Sequence, residues 1–227
     1  MIAGLFLIAA ALIPPLILLG VIYRMDQIER EPVYLLRSLF IRGVLAMFPI
    51  LVLELVGDHI AEMFSANQML FLFLSYFVVP GFVEEGVKYQ VLIRRIRNEP
   101  EFNYTFDAVV YAVFVSLGFA AVENILYVLD TGFGTAVVRA LVSIPGHAMF
   151  GVIMGSGVGR ARLLEARGQE AEAAALRTRS WILAAAVHGM YDFFLVAFEW
   201  AFYPFFAALV ILTIRLLRRG VREDTPI

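Results

Sequence analysis

The chain has 227 residues, of which 61% are hydrophobic and 17% charged, and its formal net charge at pH 7 is −2. Soluble globular domains carry about 25% charged residues, so this composition excludes an ordinary soluble protein and indicates a polytopic membrane protein. The near-neutral charge gives no sign of nucleic-acid binding, and the lack of cysteine in the sequence excludes disulfides and thiolate metal sites.

Seven stretches are long and apolar enough to cross a bilayer, whose hydrocarbon core requires about 20 helical residues. In chain order they cover approximately residues 2–23, 40–57, 68–93, 107–129, 137–159, 181–198 and 201–217. The first stretch is interpreted as a retained anchor, because it lacks the positive charge that precedes the apolar part of a signal peptide. The sequence predicts one all-α domain, residues 1–227, built as a transmembrane bundle of about seven spans, with eight as the upper limit.

Arginines are concentrated in alternate connections between these stretches and in the C-terminal tail, and Arg139 is the exception to this distribution. The positive-inside rule then predicts an N-terminus outside the cell and a cytoplasmic C-terminus. Residues 160–180 are predicted to form a cytoplasmic amphipathic connection, a short helix or hairpin interrupted at Gly168.

Ionisable residues in the middle of a span cost at least ~2.5–3.5 kcal/mol on insertion scales, so each one is a candidate functional residue. The candidates are Glu84, Glu85 and Lys88 in the third stretch, Glu123 in the fourth, His147 in the fifth, and His188 and Asp192 in the sixth. Counted along the helical rise from the cytoplasmic ends, the carboxylates and histidines among them lie roughly 14–24 Å deep. Because four helices place polar groups in one slab, we expect them to form one site.

Helical spacing supports this expectation. Lys88, the single lysine of the sequence, follows Glu84 by four residues and Glu85 by three, so it can contact both carboxylates. Its charge would keep at least one glutamate ionised in a medium of low dielectric constant. His188 and Asp192 are also four residues apart and therefore share a helix face.

These residue types are compatible with three classes of protein. Two histidines with one carboxylate form a ligand set of catalytic zinc, and the same groups serve general acid–base catalysis. A proton- or ion-coupled transporter uses the same mid-membrane carboxylates and histidines, although no inverted repeat is evident in the sequence. In a non-catalytic assembly factor, the polar groups would only hold the helices together.

Four motifs in order resemble those of the PrsW family of membrane proteases. They are EExxK at residues 84–88, FxxxE at 119–123, an isolated His147, and HxxxD at 188–192. The resemblance covers residues 75–195, the motif-bearing core of the chain. The CAAX prenyl endopeptidases of the ABI group are distantly similar, with EExxxR, FxxxH and HxxxN. Lys88, Glu123 and Asp192 depart from that second pattern, which argues against prenylated substrates.

The resemblance implies an endopeptidase embedded in a prokaryotic cell (inner) membrane. It would cleave a single-span, membrane-anchored protein similar to an anti-sigma factor, in contact with the lipid bilayer. Glu84 or Glu85 would be the base that activates water, and Glu84 is preferred because Lys88 follows it by four residues. His147 and His188 would bind Zn²⁺ or polarise the water, with Glu123 and Asp192 as a further ligand or orienting group. A metal-free, glutamate-activated water stays open as the alternative.

Overall fold

The computed structural model describes residues 2–227, with side chains from Gly4 onward. Its helices are α1 (Ile2–Met25), α2 (Val33–Phe64), α3 (Gln68–Phe73), a π-helical turn (Leu74–Val78), α4 (Val79–Ile96), α5 (Asp107–Thr131), α6 (Phe133–Leu141), α7 (Ser143–Ala166), α8 (Glu170–Ala197) and α9 (Glu199–Arg222). No β-strand occurs among these residues. Seven helical segments of residues 4–222 are long and apolar enough to cross a membrane. The all-α bundle of seven spans is thus confirmed, and the orientation of the termini stays a prediction.

Two of the predicted stretches contain a helix irregularity next to a proline. The fifth stretch consists of two helices, α6 and α7, separated at Val142. Pro145 has no N–H to donate to Leu141, and its ring would clash with that carbonyl in a continuous helix. Before Pro80 the chain forms the π-helical turn instead, in which the Val79 N–H donates to the Leu74 carbonyl. Both irregularities lie beside the predicted site residues.

Residues 160–180 form the ends of two long helices that meet at a tight turn. Helix α7 continues to Ala166, Gly168 has a φ of 75°, and α8 begins at Glu170. A positive φ strains most side chains but not glycine, which explains the chain reversal at Gly168. Arg177 of α8 forms an ion pair with Glu165 of α7 across this hairpin.

Helix α5 is the centre of the bundle and is buried along most of its length. It packs against α1, α2 and α7, whereas the outer helices expose large apolar side chains such as Phe48, Leu55 and Trp200. An apolar surface of this extent is typical of a protein that contacts lipid. The ionisable residues singled out in the sequence lie on α4, α5, α7 and α8, which pack against one another in the interior of the protein.

Two glycines allow α8 to approach α4 and the π-helical turn that precedes it. A methyl group at Gly81 would meet the Ala185 carbonyl oxygen at 2.5 Å, and one at Gly189 would collide with the carbonyl of Phe77. Because these neighbours are backbone atoms, they cannot rotate away. Small residues at both positions let the two backbones approach, as in other membrane helix pairs. This contact places the first turns of α4 beside His188.

We predict that Gly189→Ala destabilises the protein by about 1–3 kcal/mol, because the added methyl group overpacks the contact of α8 with Phe77 in the π-helical turn before α4. Gly86→Ala is the matched control, since an added methyl group there has no further neighbour within 4 Å. The control should be neutral or slightly stabilised by its higher helix propensity. Thermal unfolding in detergent measures both, and equal melting temperatures for the two variants would contradict the close-contact account.

Candidate active site

Helix α4 carries a buried ion-pair group at the predicted position. The Lys88 Nζ donates to Glu84 Oε2 at 2.7 Å and to Glu85 Oε1 at 2.9 Å, and all three residues are buried. Both contacts expected from the helical spacing are therefore formed. The ammonium also lies 4.1 Å from the centre of the Phe119 ring, whose face attracts a cation.

The two histidines complete a continuous network. His147 Nδ1 lies 3.3 Å from Lys88 Nζ, while its Nε2 lies 2.9 Å from Glu123 Oε2. Because an ammonium can only donate, Nδ1 of His147 accepts and its Nε2–H donates to Glu123.

His188 differs from His147 in that both of its nitrogens face carboxylates, which accept hydrogen bonds. Its Nδ1 lies 3.0 Å from Glu85 Oε1, and its Nε2 lies 3.3 Å from Asp192 Oδ2. In both histidines, Nδ1 thus faces the ion-pair group of α4 and Nε2 faces a carboxylate on the outer side. All seven residues singled out in the sequence consequently belong to one network.

A cavity of ≈ 370 Å³ gives access to this network. Glu84, His147 and His188 line it from inside the bundle, together with Glu123 and Asp192. The Asp192 side chain is 27% exposed, whereas Glu85 is fully buried and does not line the cavity. The two adjacent glutamates therefore differ: Glu84 contacts the cavity and Glu85 lies behind it.

Comparison with known proteins matches residues 31–216 to a family described as PrsW family intramembrane metalloprotease. The chain belongs to the PrsW family. It is similar to Protease PrsW of Bacillus subtilis (strain 168), with 36% identity over 208 residues that cover 89% of this chain and 90% of the relative. Protease PrsW of Geobacillus kaustophilus (strain HTA426) is 37% identical over 198 residues, covering 87% and 83%. No solved structure gives a significant match.

Membership in the PrsW family confirms a peptidase and a multi-pass integral membrane protein. Protease PrsW of Clostridioides difficile (strain 630) supports the same assignment, with 32% identity over 209 residues, or 89% of this chain and 84% of the relative. The transporter and the assembly factor considered from the residues alone are thereby set aside.

The PrsW site has a set of groups that fits a metal ion. Glu84, His147 and His188 are buried, and each offers a ligand atom within 4.8 Å of the other two. Two imidazoles and a carboxylate suit catalytic zinc, which keeps a position for water. In addition, Glu85 Oε2 is buried without a hydrogen-bond partner among the described residues. The carboxylate within this group is that of Glu84, whereas Glu123 and Asp192 each contact the outer nitrogen of a histidine.

Arg139 is a further site residue that was not predicted. Its Nη2 donates to Glu123 Oε2 at 2.5 Å and its Nε donates to Asn124 Oδ1 at 2.9 Å. The guanidinium lies 4.2 Å from the centre of the Tyr127 ring and lines the cavity. Arg139 was the exception in the arginine distribution, and that exception is the signal that could have identified it. Glu54 of α2 also lines the cavity.

We predict that Lys88→Met lowers the free energy of unfolding by about 3–5 kcal/mol, because it leaves two buried carboxylates without their cation. The matched control is Arg219→Met, which removes another pair with four-residue spacing, to Glu223, from an exposed position. Chemical or thermal unfolding in detergent should show little change for the control. A Lys88→Met protein as stable as wild type would contradict the role of Lys88 as the buried counter-charge.

Proposed function

We propose that this PrsW protein hydrolyses a peptide bond of a membrane-anchored protein, with Glu84 as the base that activates water. The observation that carries the proposal is the placement of Glu84 at the cavity within 4.8 Å of ligand atoms on both His147 and His188. A water molecule between these groups would have a proton acceptor and two imidazoles as neighbours. This combination suits hydrolysis of an amide.

In the proposed reaction, the water oxygen bonds to the scissile carbonyl carbon as Glu84 accepts a water proton. The tetrahedral intermediate then collapses, the C–N bond breaks, and Glu84 returns the proton to the departing amine. Lys88 holds Glu84 and Glu85 in place and keeps negative charge on the pair. Glu85, which is fully buried, contacts Lys88 and His188 and acts as a positioning residue.

Glu84, His147 and His188 are the residues that would hold a metal ion, with Zn²⁺ as the proposed metal. When bound, such an ion supplies Lewis-acid polarisation of the carbonyl and acidification of water. Glu123 and Asp192 would orient the imidazoles through their Nε2 atoms, the arrangement in which an outer carboxylate fixes a histidine ligand. An ion held by the Nδ1 atoms would replace their contacts with Lys88 and Glu85. A carboxylate has two oxygens, so Glu84 can serve both in holding the ion and in contacting the water.

The proposed substrate is a single-span protein that enters sideways from the bilayer, with an anti-sigma-factor-like regulator as the proposed class. The location of the site within the membrane-spanning helices supports a substrate that itself has a membrane span. The cavity wall includes apolar residues of two neighbouring helices, Val79 and Pro80 of α4 and Leu195 and Val196 of α8. The regulator class rests on the family resemblance. When the apolar span of the substrate lies against this wall, the polar side chains of the same cavity would meet its peptide bond.

We predict that Glu84→Gln slows cleavage of a single-span substrate in proteoliposomes by about 10²–10⁴-fold, the usual contribution of a general base. Glutamine keeps the shape of the side chain and removes the proton acceptor. Asp58→Asn is the control, because Asp58 is a carboxylate on the wall of the same cavity and lies outside the network. The control should cleave at close to the wild-type rate, and wild-type cleavage by Glu84→Gln would refute the assignment of the base.

A further inference from the structure

A second group of buried carboxylates lies at the junction of three chain segments and contains none of the active-site residues. Asp26 and Glu31 belong to the connection between α1 and α2, and Asp107 is the first residue of α5. Each offers an oxygen within 4.8 Å of the other two. Their exposed fractions are 2%, 4% and 1%, so water cannot screen their mutual repulsion.

Glu31 and Asp107 each accept hydrogen bonds, whereas one oxygen of Asp26 has no donor. Tyr111 Oη donates to Glu31 Oε2 at 2.5 Å, and the backbone N–H groups of Asn103 and Tyr104 donate to Asp107 Oδ2. Asp26 Oδ2 is buried, and no group in the described part of the chain donates to it. An unpartnered oxygen on a side chain that is 98% buried therefore belongs to a group of three acids. Buried polar atoms are normally paired, so this oxygen points to a bound ligand.

The electrostatic surroundings increase the free-energy cost of keeping all three carboxyl groups ionised. Burial, together with the charge of Asp224, raises the pKa of Asp26 to about 6. Burial raises the pKa of Glu31 to about 9, and Asp107 adds to the effect. Arg30 acts in the opposite direction on Asp26, but more weakly than burial does. Carboxylates at such short separation require a positive counter-charge or a shared proton.

The chemistry of the donors identifies the class of counter-charge. All three side chains offer oxygen, the sequence contains no cysteine, and its three histidines at 59, 147 and 188 lie outside the group. Oxygen donors suit hard cations such as Mg²⁺ and Ca²⁺, whereas zinc favours sites with nitrogen or sulfur. The second group thus differs in kind from the histidine-containing active site.

We propose that Asp26, Glu31 and Asp107 bind a divalent cation of the Mg²⁺ or Ca²⁺ class, which joins the α1–α2 connection to the start of α5. The C-terminal tail meets the same place, because Asp224 Oδ1 accepts from Thr105 Oγ1 at 3.1 Å and from the Phe106 N–H at 2.9 Å. The cation stabilises this junction of three segments. It takes no part in hydrolysis, so the proposal stands or falls independently of the proposed function.

The test measures thermal unfolding of the full chain in detergent at pH 8, first stripped of metal and then with MgCl₂ or CaCl₂. Saturating cation should raise the melting temperature of wild type by roughly 5–10 °C. Asp26→Asn should lose this rise, and it is the most informative variant because Asp26 Oδ2 has no hydrogen bond to lose. Glu29→Gln, an exposed position of the same connection, should keep the rise.

His147→Ala should also keep the rise, which separates this cation from any metal at the active site. The proposal is overturned if neither cation stabilises wild type, if Asp26→Asn keeps the full rise, or if His147→Ala loses it. Stabilisation of wild type by lowering the pH to 6, without a response to either cation, would overturn it in favour of a shared proton. Should Asp26→Asn fail to fold, calorimetric titration of wild type with CaCl₂ and MgCl₂ decides, because absence of binding refutes the site.

Discussion

The arrangement of the polar groups inside the bundle depends on one buried ammonium group. Lys88 is 1% exposed, yet it contacts Glu84, Glu85 and His147, which lie on two different helices. A charge in a low-dielectric interior is tolerated only when it is paired and hydrogen-bonded, so the four groups must be held together. Glu123 and His188 contact this group directly, through His147 and Glu85. Asp192 and Arg139 are joined to it through His188 and Glu123. Removal of the ammonium would therefore affect both the stability of the protein and the charge of the Glu84 and Glu85 carboxylates.

Backbone features of the bundle bring the partners of Lys88 into reach. The interruption at Val142 separates α6 from α7, so that His147 lies in the second turn of a new helix while Arg139 approaches Glu123 from the preceding one. On the other side, glycine contacts let α8 approach α4 and place His188 beside Glu85. Outer carboxylates then fix the orientation of each imidazole, leaving both Nδ1 atoms directed inward. The result is a preorganised polar site enclosed by helices whose outer surfaces are apolar.

Much of this arrangement could be predicted from the sequence, because helical spacing and membrane depth constrain side chains strongly. The contacts of Lys88 and the convergence of four helices follow from three- and four-residue spacings and from the cost of charge in a bilayer. The pairing of Arg139 with Glu123 could not be predicted, since it depends on a helix break whose geometry is set by packing. The group of Asp26, Glu31 and Asp107 also escaped prediction, because connections carry no periodic signal and their partners come from distant parts of the chain. The orientation of the termini still rests on the arginine distribution alone.

The central claim is that Glu84, His147 and His188 form a single metal-dependent catalytic site. Its most direct test is quantification of metal in the purified protein, combined with X-ray absorption spectroscopy at the zinc edge. The account predicts about one zinc per chain, bound by imidazole nitrogen and carboxylate oxygen. Zinc should be lost in His147→Ala and in His188→Ala, and retained in Asp26→Asn. A wild-type protein that cleaves its substrate at full rate without metal, or zinc that persists in both histidine variants, would contradict the account.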